Sequence, residues 1–506
     1  MRILRILLIL ASAGTLAFAQ TNTTTAVRQL SLQDCIQLAL QHDLDLQIDR
    51  YNPEIALYNL RGDYGAYDPS FTLSGQHDHN EAGSQLLAGG FGIPGSISDD
   101  NSFSAGLSGV TPIGTTYSVQ GNTRDQYGQS FGVDTNGVIV GRGFENSGAS
   151  ASITATQPLL KNLWTDNNRL TIRVAKNRLK YSEQTLKLQI MQTITTLEQA
   201  YDDLIYNREN LIVQEKAVEL AERLVTENRK RLEVGALAPL DLQSAEAQAA
   251  SSRAAVIASR SQLGTQERLL KTFITDAYAS EWANVGLEPS AKLTAPAPVL
   301  NLQDSWTKGL AERPELAQAK LDLQRQGIVL KYDQNQLWPE LDVFGTYGYN
   351  GSGKEFSGAL SDFQSTERPF YTYGGKITIP LSNTRARNSY KSDKANMQQL
   401  VLTLKQLEQN IMIQIDNDIG TIRASYDAVQ ATRTAREYEE SALDAEQKKL
   451  ESGKSTTYTV LQVQRDLTTA RGNEIQALDT YNKNLSQLSL HEGSTLERLN
   501  IRLESK

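Results

Sequence analysis

Cysteine occurs once in the chain, at Cys35, and histidine four times, at His42, His77, His79 and His491. A lone thiol cannot make an internal disulfide, and with no cysteine pair there is no zinc or redox spacing to read. Cys35 falls on an amphipathic stretch beside Leu32, Ile36 and Leu40, where it reads as a small buried hydrophobe. No Gly-x-Ser-x-Gly or other catalytic constellation is present. A basic excess is also missing: 50 Lys and Arg stand against 58 Asp and Glu, for a formal charge of −8, which argues against nucleic acid as a partner. Beyond the first nineteen residues no run is long and apolar enough for a membrane helix. If the chain enters a membrane, it does so by strands.

Those first nineteen residues read as a secretory signal. Arg2 and Arg5 precede the apolar run Ile6 to Leu10, and Ala17-Phe18-Ala19 offers a small-residue cleavage site before Gln20. Cleavage would remove both arginines and take the formal charge from −8 to −10. Cys35 lies well past that site, which argues against a lipid anchor on the mature N-terminus.

What the chain has in quantity is a seven-residue apolar repeat, and it has it twice. Ile190, Leu197, Leu204, Leu211, Val218, Val225 and Leu232 recur at every seventh position, and the seam resumes after Gly235 with Leu242, Ala249, Val256, Leu263 and Leu270. A shift of 218 carries Arg169 onto Arg387, Gly235 onto Gly453 and Leu270 onto Leu488. The second copy reads Ile415, Ile422, Val429, Leu443 and Leu450, interrupted at Glu408 and Arg436, then Val460, Leu467, Tyr481 and Leu488. Such a period predicts helices that supercoil against neighbours. An ascending run of some 64 residues would be about 96 Å long. Two long antiparallel helical hairpins related by duplication follow.

The duplication reaches further. Leu30-Ser31-Leu32-Gln33-Asp34 returns 270 residues later as Leu300-Asn301-Leu302-Gln303-Asp304, and Asp68-Pro69 as Trp338-Pro339. Residues 30–67 read as helix with a break at Pro53. After each of these prolines the period changes to two, in Phe71-Leu73-Gly75, Ala149-Ala151-Ile153-Ala155, Leu341-Val343-Gly345-Tyr347-Tyr349 and Tyr371-Tyr373-Gly375-Ile377-Ile379. Each segment is about ten residues long, the length a tilted strand needs to cross a bilayer. Residues 77–148 read as a long Gly-, Ser- and Asn-rich loop holding an extra hairpin, Phe103 to Gly109 and Tyr117-Val119 about the turn Thr111-Pro112-Ile113-Gly114. Whether that hairpin joins a membrane sheet is open at this level.

The expected organisation is a signal over 1–19, helices over 20–68, a strand pair with its long external loop over 69–158 and a hairpin over 159–275. A Gly- and Pro-bearing connector (the equatorial region) over 276–300 leads into the second copy: helices over 301–338, strands over 339–380, a hairpin over 381–490 and a polar tail over 491–506. The fold class is therefore α+β with membrane strands, a soluble sandwich being the alternative for the strands.

Two motifs suggest chemistry and fail on inspection. Gly348-Tyr-Asn-Gly-Ser-Gly353-Lys354 starts like a phosphate loop, but Glu355 stands where Ser or Thr should hold magnesium, and Phe356-Ser357-Gly358 does not read as the amphipathic helix such a site needs. A flexible external loop, within a modest polar loop over 350–370, is the better reading. His77-Asp78-His79 could ligate a metal but lacks a third ligand, so a solvated loop edge is preferred. No metal, cofactor or catalytic residue is assigned. The hairpin tips carry more. Gly235 suits the left-handed residue after a helix, Pro239 a first helical position, and Gly453 and Thr456 the stop and cap of the second copy.

Four strands cannot close a barrel, and an open sheet edge does not survive in lipid, so copies of the chain would have to share one barrel. At this point the sequence resembles the TolC-like outer-membrane efflux proteins over roughly Leu30 to Leu490. The resemblance rests on the Leu-Ser-Leu-Gln-Asp opening, Asp68-Pro69-Ser70, Trp338-Pro339-Glu340, Gln157-Pro158-Leu159-Leu160, Val234-Gly235 with Asp241-Leu242-Gln243, and the order of elements in both halves. It implies a homotrimer with four membrane strands per chain in a shared twelve-stranded barrel, set in outer-membrane lipid, and a periplasmic helical tunnel. It implies further that the tips Val234, Gly235, Ala236, Gly453, Lys454 and Ser455 meet a periplasmic adaptor (membrane fusion) protein joined to an inner-membrane pump of the RND, ABC or MFS type. Best-known members narrow the periplasmic end with an Arg and two Asp near the second tip; here those positions are Ser455, Thr459 and Gln462, and only Asp241 in the first copy keeps the acid. Asp241, Thr459 and Gln462 are the aperture candidates, without the charged lock. A periplasmic adaptor or coiled-coil scaffold is the rival reading, and an envelope enzyme a third.

Overall fold

The computed structural model describes residues 27–86, 90, 92–279 and 281–501. The expected signal over 1–19 lies outside them. Backbone packing divides the chain into two compact units, one drawn from residues up to Gln47, Thr193–Leu300 and Asp418–Leu488, the other from Ile48–Gln192, Asn301–Asn417 and the segment after Ser489.

The chain opens with β1 (Val27–Leu30), α1 (Leu32–His42) and α2 (Leu44–Asp63). The Leu-Ser-Leu-Gln-Asp motif is a capping box: the Asp34 amide donates to Ser31 Oγ at 3.1 Å, and the Ser31 amide donates back to Asp34 Oδ2 at 3.0 Å. Cys35, Ile36 and Ala39 are buried behind it, and burial pushes the Cys35 thiol up to about 12. The helix breaks at Asp43 and not at Pro53. Asp43 Oδ1 accepts the Leu46 amide at 2.8 Å and so starts α2, while Pro53 sits inside α2. A cap that satisfies free amides outweighs the one hydrogen bond the proline removes.

The strands follow as β2 (Ser70–Glu81), the short ribbon β3 (Gln85–Leu86) and β4 (Gly92–Ile93), β5 (Ile97–Val110), β6 (Thr116–Val133) and β7 (Ile139–Pro158). The first long hairpin is α3 (Asn167–Glu233) and α4 (Pro239–Ile274), and β8 (Gly286–Pro289) lies in the connector. The second copy gives α5 (Leu302–Glu312), α6 (Pro314–Gln336), β9 (Glu340–Gly353), α7 (Phe356–Ser365), β10 (Pro369–Thr378), α8 (Thr384–Glu451) and α9 (Thr457–His491), with α10 (Thr495–Arg498) in the tail. The duplication is visible in lengths: α1 and α5 have 11 residues each, α3 and α8 have 67 and 68, and α4 and α9 have 36 and 35. In α5 the Asn301 side chain takes over the cap from serine, accepting the Gln303 amide at 3.1 Å.

In the first unit, β1 pairs with β8 in parallel from Val27 opposite Gly286 to Leu30 opposite Pro289. The buried Tyr201 hydroxyl donates to the Leu30 carbonyl at 3.0 Å, and Lys271 Nζ donates to the Val285 carbonyl at 2.6 Å. The connector is thus tied to helices at both ends, since the Tyr481 hydroxyl donates to the Pro296 carbonyl at 2.6 Å. The seven-residue seam is the core of this unit: Leu197, Leu204, Ile422, Val429, Val460 and Tyr481 are all buried. The seam's interruption at Arg436 is a cross-hairpin ion pair, Nε to Glu474 Oε2 at 2.8 Å, joined by Arg433 to Glu474 at 3.4 Å.

In the second unit one antiparallel sheet runs β10-β9-β7-β6-β5-β2. The four expected strands are β2, β7, β9 and β10, and the hairpin left open by the sequence supplies β5 and β6 between the first two. Most of the expected loop over 77–148 is therefore ladder. The expected loop over 350–370 is also corrected: β9 continues to Gly353 and a helix, α7, folds back on it. A Cβ added at Gly351 would lie 2.4 Å from the Ala359 carbonyl oxygen, and one at Gly353 2.4 Å from the Ala359 amide. The glycines of the phosphate-loop-like run admit the α7 backbone.

Candidate functional site

Two regions carry the function-bearing geometry, the sheet in the second unit and the hairpin tips in the first.

In the sheet, register places whole rungs of like residues across all six strands. One rung is Phe71, Leu107, Val119, Ile153, Tyr347 and Tyr371. The adjacent rung is Ser70, Ser108, Ser118, Thr154, Thr346 and Thr372. Successive side chains point to opposite faces, so one face is apolar and the other a surface of hydroxyls and amides. The apolar face is bare: Phe71 is 70% exposed, Tyr371 71% and Tyr373 81%. The hydroxyl face satisfies itself across strands, Thr154 to Thr346 at 2.9 Å and Ser74 to Ser104 at 2.6 Å. The apolar run on β9 from Leu341 to Tyr349 has the length a tilted strand needs to cross hydrocarbon, about nine to eleven residues. Above that band both faces turn polar. His77 bonds Asn101 at 2.8 Å and His79 bonds Asp99 at 2.7 Å, which places the two histidines in the β2–β5 ladder and not on a loop edge.

Among the described residues β2 pairs only with β5 and β10 only with β9. Such a sheet is incomplete as a wall in lipid, because free backbone groups at an edge cost several kcal/mol each in hydrocarbon.

At the tips, α3 and α8 end in the same device. Gly235 has φ +74° and Gly453 +71°. The Gly235 amide donates to Leu232 at 2.9 Å and the Ala236 amide to Arg231 at 2.8 Å; the Gly453 amide donates to Leu450 at 3.2 Å and the Lys454 amide to Lys449 at 2.9 Å. These pairs are the Schellman pattern, which needs a left-handed residue after the helix. Pro239 stands in the first turn of α4, and Thr456 caps α9 by accepting the Thr459 amide at 3.3 Å. The two tips are joined, since Arg231 Nη1 donates to the Leu450 carbonyl at 3.3 Å over a cluster of Leu224, Leu443, Leu450, Val460 and Leu461. Sequence reading gave no sign of that link, because an arginine aimed at a carbonyl leaves no pattern. Val234, Gly235, Ala236, Gly453 and Lys454 are exposed, and half-buried Ser455 donates to Glu446. Asp241 and Thr459 are half-buried and Gln462 is exposed; among the described residues no hydrogen bond or ion pair joins the three. Asn228, nearby on α3, is fully buried with neither amide atom partnered among the described residues.

A charged group that sequence reading missed lies where α3 meets α9. Lys483 Nζ contacts Asp203 at 2.5 Å and Asp479 at 2.8 Å. Burial first, then the neighbouring Asp479 and Glu198, push the Asp202 carboxyl up to about 7. A folded-state value above the ordinary 3.8 means that the unfolded chain loses this proton first. The group therefore costs stability as pH rises from about 4, with the full cost present above about 7. Asp202→Asn is expected to raise Tm by several degrees at pH 8 and to leave it unchanged at pH 4, as followed by circular dichroism. A Tm gain equal at both pH values would show that the carboxyl is not the cause.

One chain thus carries an open-edged sheet with an apolar face and two long helical hairpins related by duplication. Residues 307–494 match the family model described as outer membrane efflux protein. The chain is 22% identical over 333 residues to the outer membrane efflux protein BepC of Brucella suis, covering 65% of this chain and 68% of that protein. In fold it is similar to the Campylobacter jejuni CmeC outer membrane channel, with a TM-score of 0.65 at 14% identity over 92% of this chain and 86% of that one. It is equally similar to the outer membrane protein VceC of Vibrio cholerae, with a TM-score of 0.65 at 16% identity over 91% of this chain and 96% of that one. The chain thus shares the fold of these outer-membrane channels, and its segment 307–494 matches the efflux-protein family model.

Proposed function

We propose that this chain is the outer-membrane exit duct of a tripartite efflux or type I secretion system, sited in the outer membrane of a Gram-negative-type bacterium with a long periplasmic domain. The observation that carries the reading is the pair of adjacent rungs, one wholly apolar or aromatic and one wholly hydroxylic, crossing every strand of an open-edged sheet. A homotrimer closes the edges and turns the hydroxyl face into a wet lumen. A soluble adaptor, the rival reading, would leave Phe71, Ile153, Tyr371 and Tyr373 in water.

The duct is a passive conduit; a periplasmic adaptor couples it to an inner-membrane pump of the RND, ABC or MFS type, which supplies the energy. The adaptor meets the exposed turns at Val234, Gly235 and Ala236 and at Gly453, Lys454 and Ser455. Asp241, Thr459 and Gln462 line the periplasmic aperture, which narrows without an Arg–Asp lock. The purified full chain in a planar lipid bilayer is expected to give stepwise ion conductance. A chain that stays monomeric in mild detergent, conducts nothing and fractionates only with soluble periplasm would reject the reading.

A further inference from the structure

We propose that the shared barrel of this protein has eighteen strands, six from each of three chains, with β10 of one copy paired to β2 of the next. The inference rests on the trimeric-duct reading above and adds the wall's size and its seam. It departs from the twelve strands that the sequence resemblance implies.

The extra hairpin could have been a lid, an external arm or a plug, and the register decides against each. β5 pairs with β2 from Ser70 opposite Ser108 to Glu81 opposite Ile97, and β6 pairs with β7 from Thr116 opposite Thr156 to Val133 opposite Ile139. The hairpin is inserted between two strands that it keeps apart over their full length. It also obeys both rungs: Leu107 and Val119 continue the apolar line from Phe71 to Ile153, and Ser108 and Ser118 continue the hydroxyl line from Ser70 to Thr154. A lid or plug has no reason to keep lipid-facing and water-facing residues in step with its neighbours; a wall segment must. Both strands exceed the length needed to cross, with 14 residues in β5 and 18 in β6.

Parity then fixes the seam. With six strands alternating in direction, β2 and β10 run oppositely, so β10 of one copy meets β2 of the next in the antiparallel sense of the whole sheet. An odd number would force a parallel joint. Barrel diameter grows about linearly with strand number, so this wall is roughly 1.5-fold wider than one of twelve strands and in the range that leaves an open aqueous channel.

Two measurements test the count on the full-length trimer. The first uses Leu73→Cys with Ala151→Cys, residues of one rung on β2 and β7, in a Cys35→Ala background. With β5 and β6 between them the two positions are about 14 Å apart, three strand spacings, beyond the reach of a disulfide. No intrachain crosslink is expected, whereas Leu73→Cys with Ala105→Cys, on directly paired positions, is expected to crosslink. Efficient Leu73–Ala151 crosslinking in conducting trimers would put β2 beside β7 and overturn the eighteen-strand wall while leaving the duct intact. The second measurement is electron cryo-microscopy of the trimer in lipid nanodiscs, where eighteen strands are expected. Twelve strands with residues 97–133 folded outside the wall would overturn the inference, and a monomer without conductance would remove the underlying reading as well.

Discussion

Gly235→Val and Gly453→Val are expected to cut co-purification with the adaptor at least about tenfold while leaving trimers and conductance intact. A Cβ would meet nothing within 4 Å at either glycine, so space is not the obstacle. The obstacle is φ, +74° and +71°, where a β-branched residue pays roughly 1–3 kcal/mol. The chain escapes that strain by giving up the Schellman bonds, which frees the carbonyls of Arg231 and Leu232 in one tip and of Lys449 and Leu450 in the other. Leu450 is also the residue whose carbonyl holds Arg231, so loosening the second tip releases the first. About 1.4 kcal/mol of lost pre-organisation is already tenfold in affinity. The sheet lies in the other compact unit and is untouched by the substitution. Gly→Asn at the same positions is expected to keep most of the binding, because asparagine tolerates the left-handed conformation. Full binding by the valine variants would mean that the adaptor docks elsewhere, whatever the tips' geometry.

The helical part of this architecture was legible because a seven-residue seam is a long, redundant signal. Its positions from Ile190 to Leu204 and from Ile415 to Val429 are buried as the period requires. The glycines of both tips were legible for a similar reason, since a left-handed helix stop has few residue choices. The strands were legible only inside the apolar band. Alternation records a difference between two faces, and above the band both faces are wet. Residues 77–81, 97–102 and 124–133 therefore read as loop although their ladder is continuous. The α7 helix was hidden behind glycines that read as flexibility and in fact admit a close-packed backbone. The β1–β8 pair joins segments far apart in sequence through four residues each, too short to leave a period. Arg436 broke the seam on paper and is satisfied by Glu474 across the hairpin, a partner that no local pattern names.

Ile153→Arg and Thr154→Arg are neighbours on β7 and are expected to have opposite outcomes. Ile153 lies on the apolar rung between Val119 and Tyr347 and is 53% exposed within one chain. In a lipid-facing wall that exposure is contact with hydrocarbon, where an arginine near the bilayer midplane costs about 2–4 kcal/mol per chain. Three symmetry-related copies bear it together, so folded trimer is expected to fall sharply on unheated gels, with the urea unfolding midpoint lowered. Thr154 lies on the hydroxyl rung, bonded to Thr346 at 2.9 Å, on the face that the proposed duct turns toward its lumen. An arginine there loses one modest hydrogen bond and keeps its charge in water, so trimers persist. Three added positive charges in the pore are expected to shift ion selectivity toward anions, read as a change in reversal potential under a salt gradient. Equal tolerance of both substitutions would mean that water reaches both faces of the sheet, and the wall would then be no membrane wall.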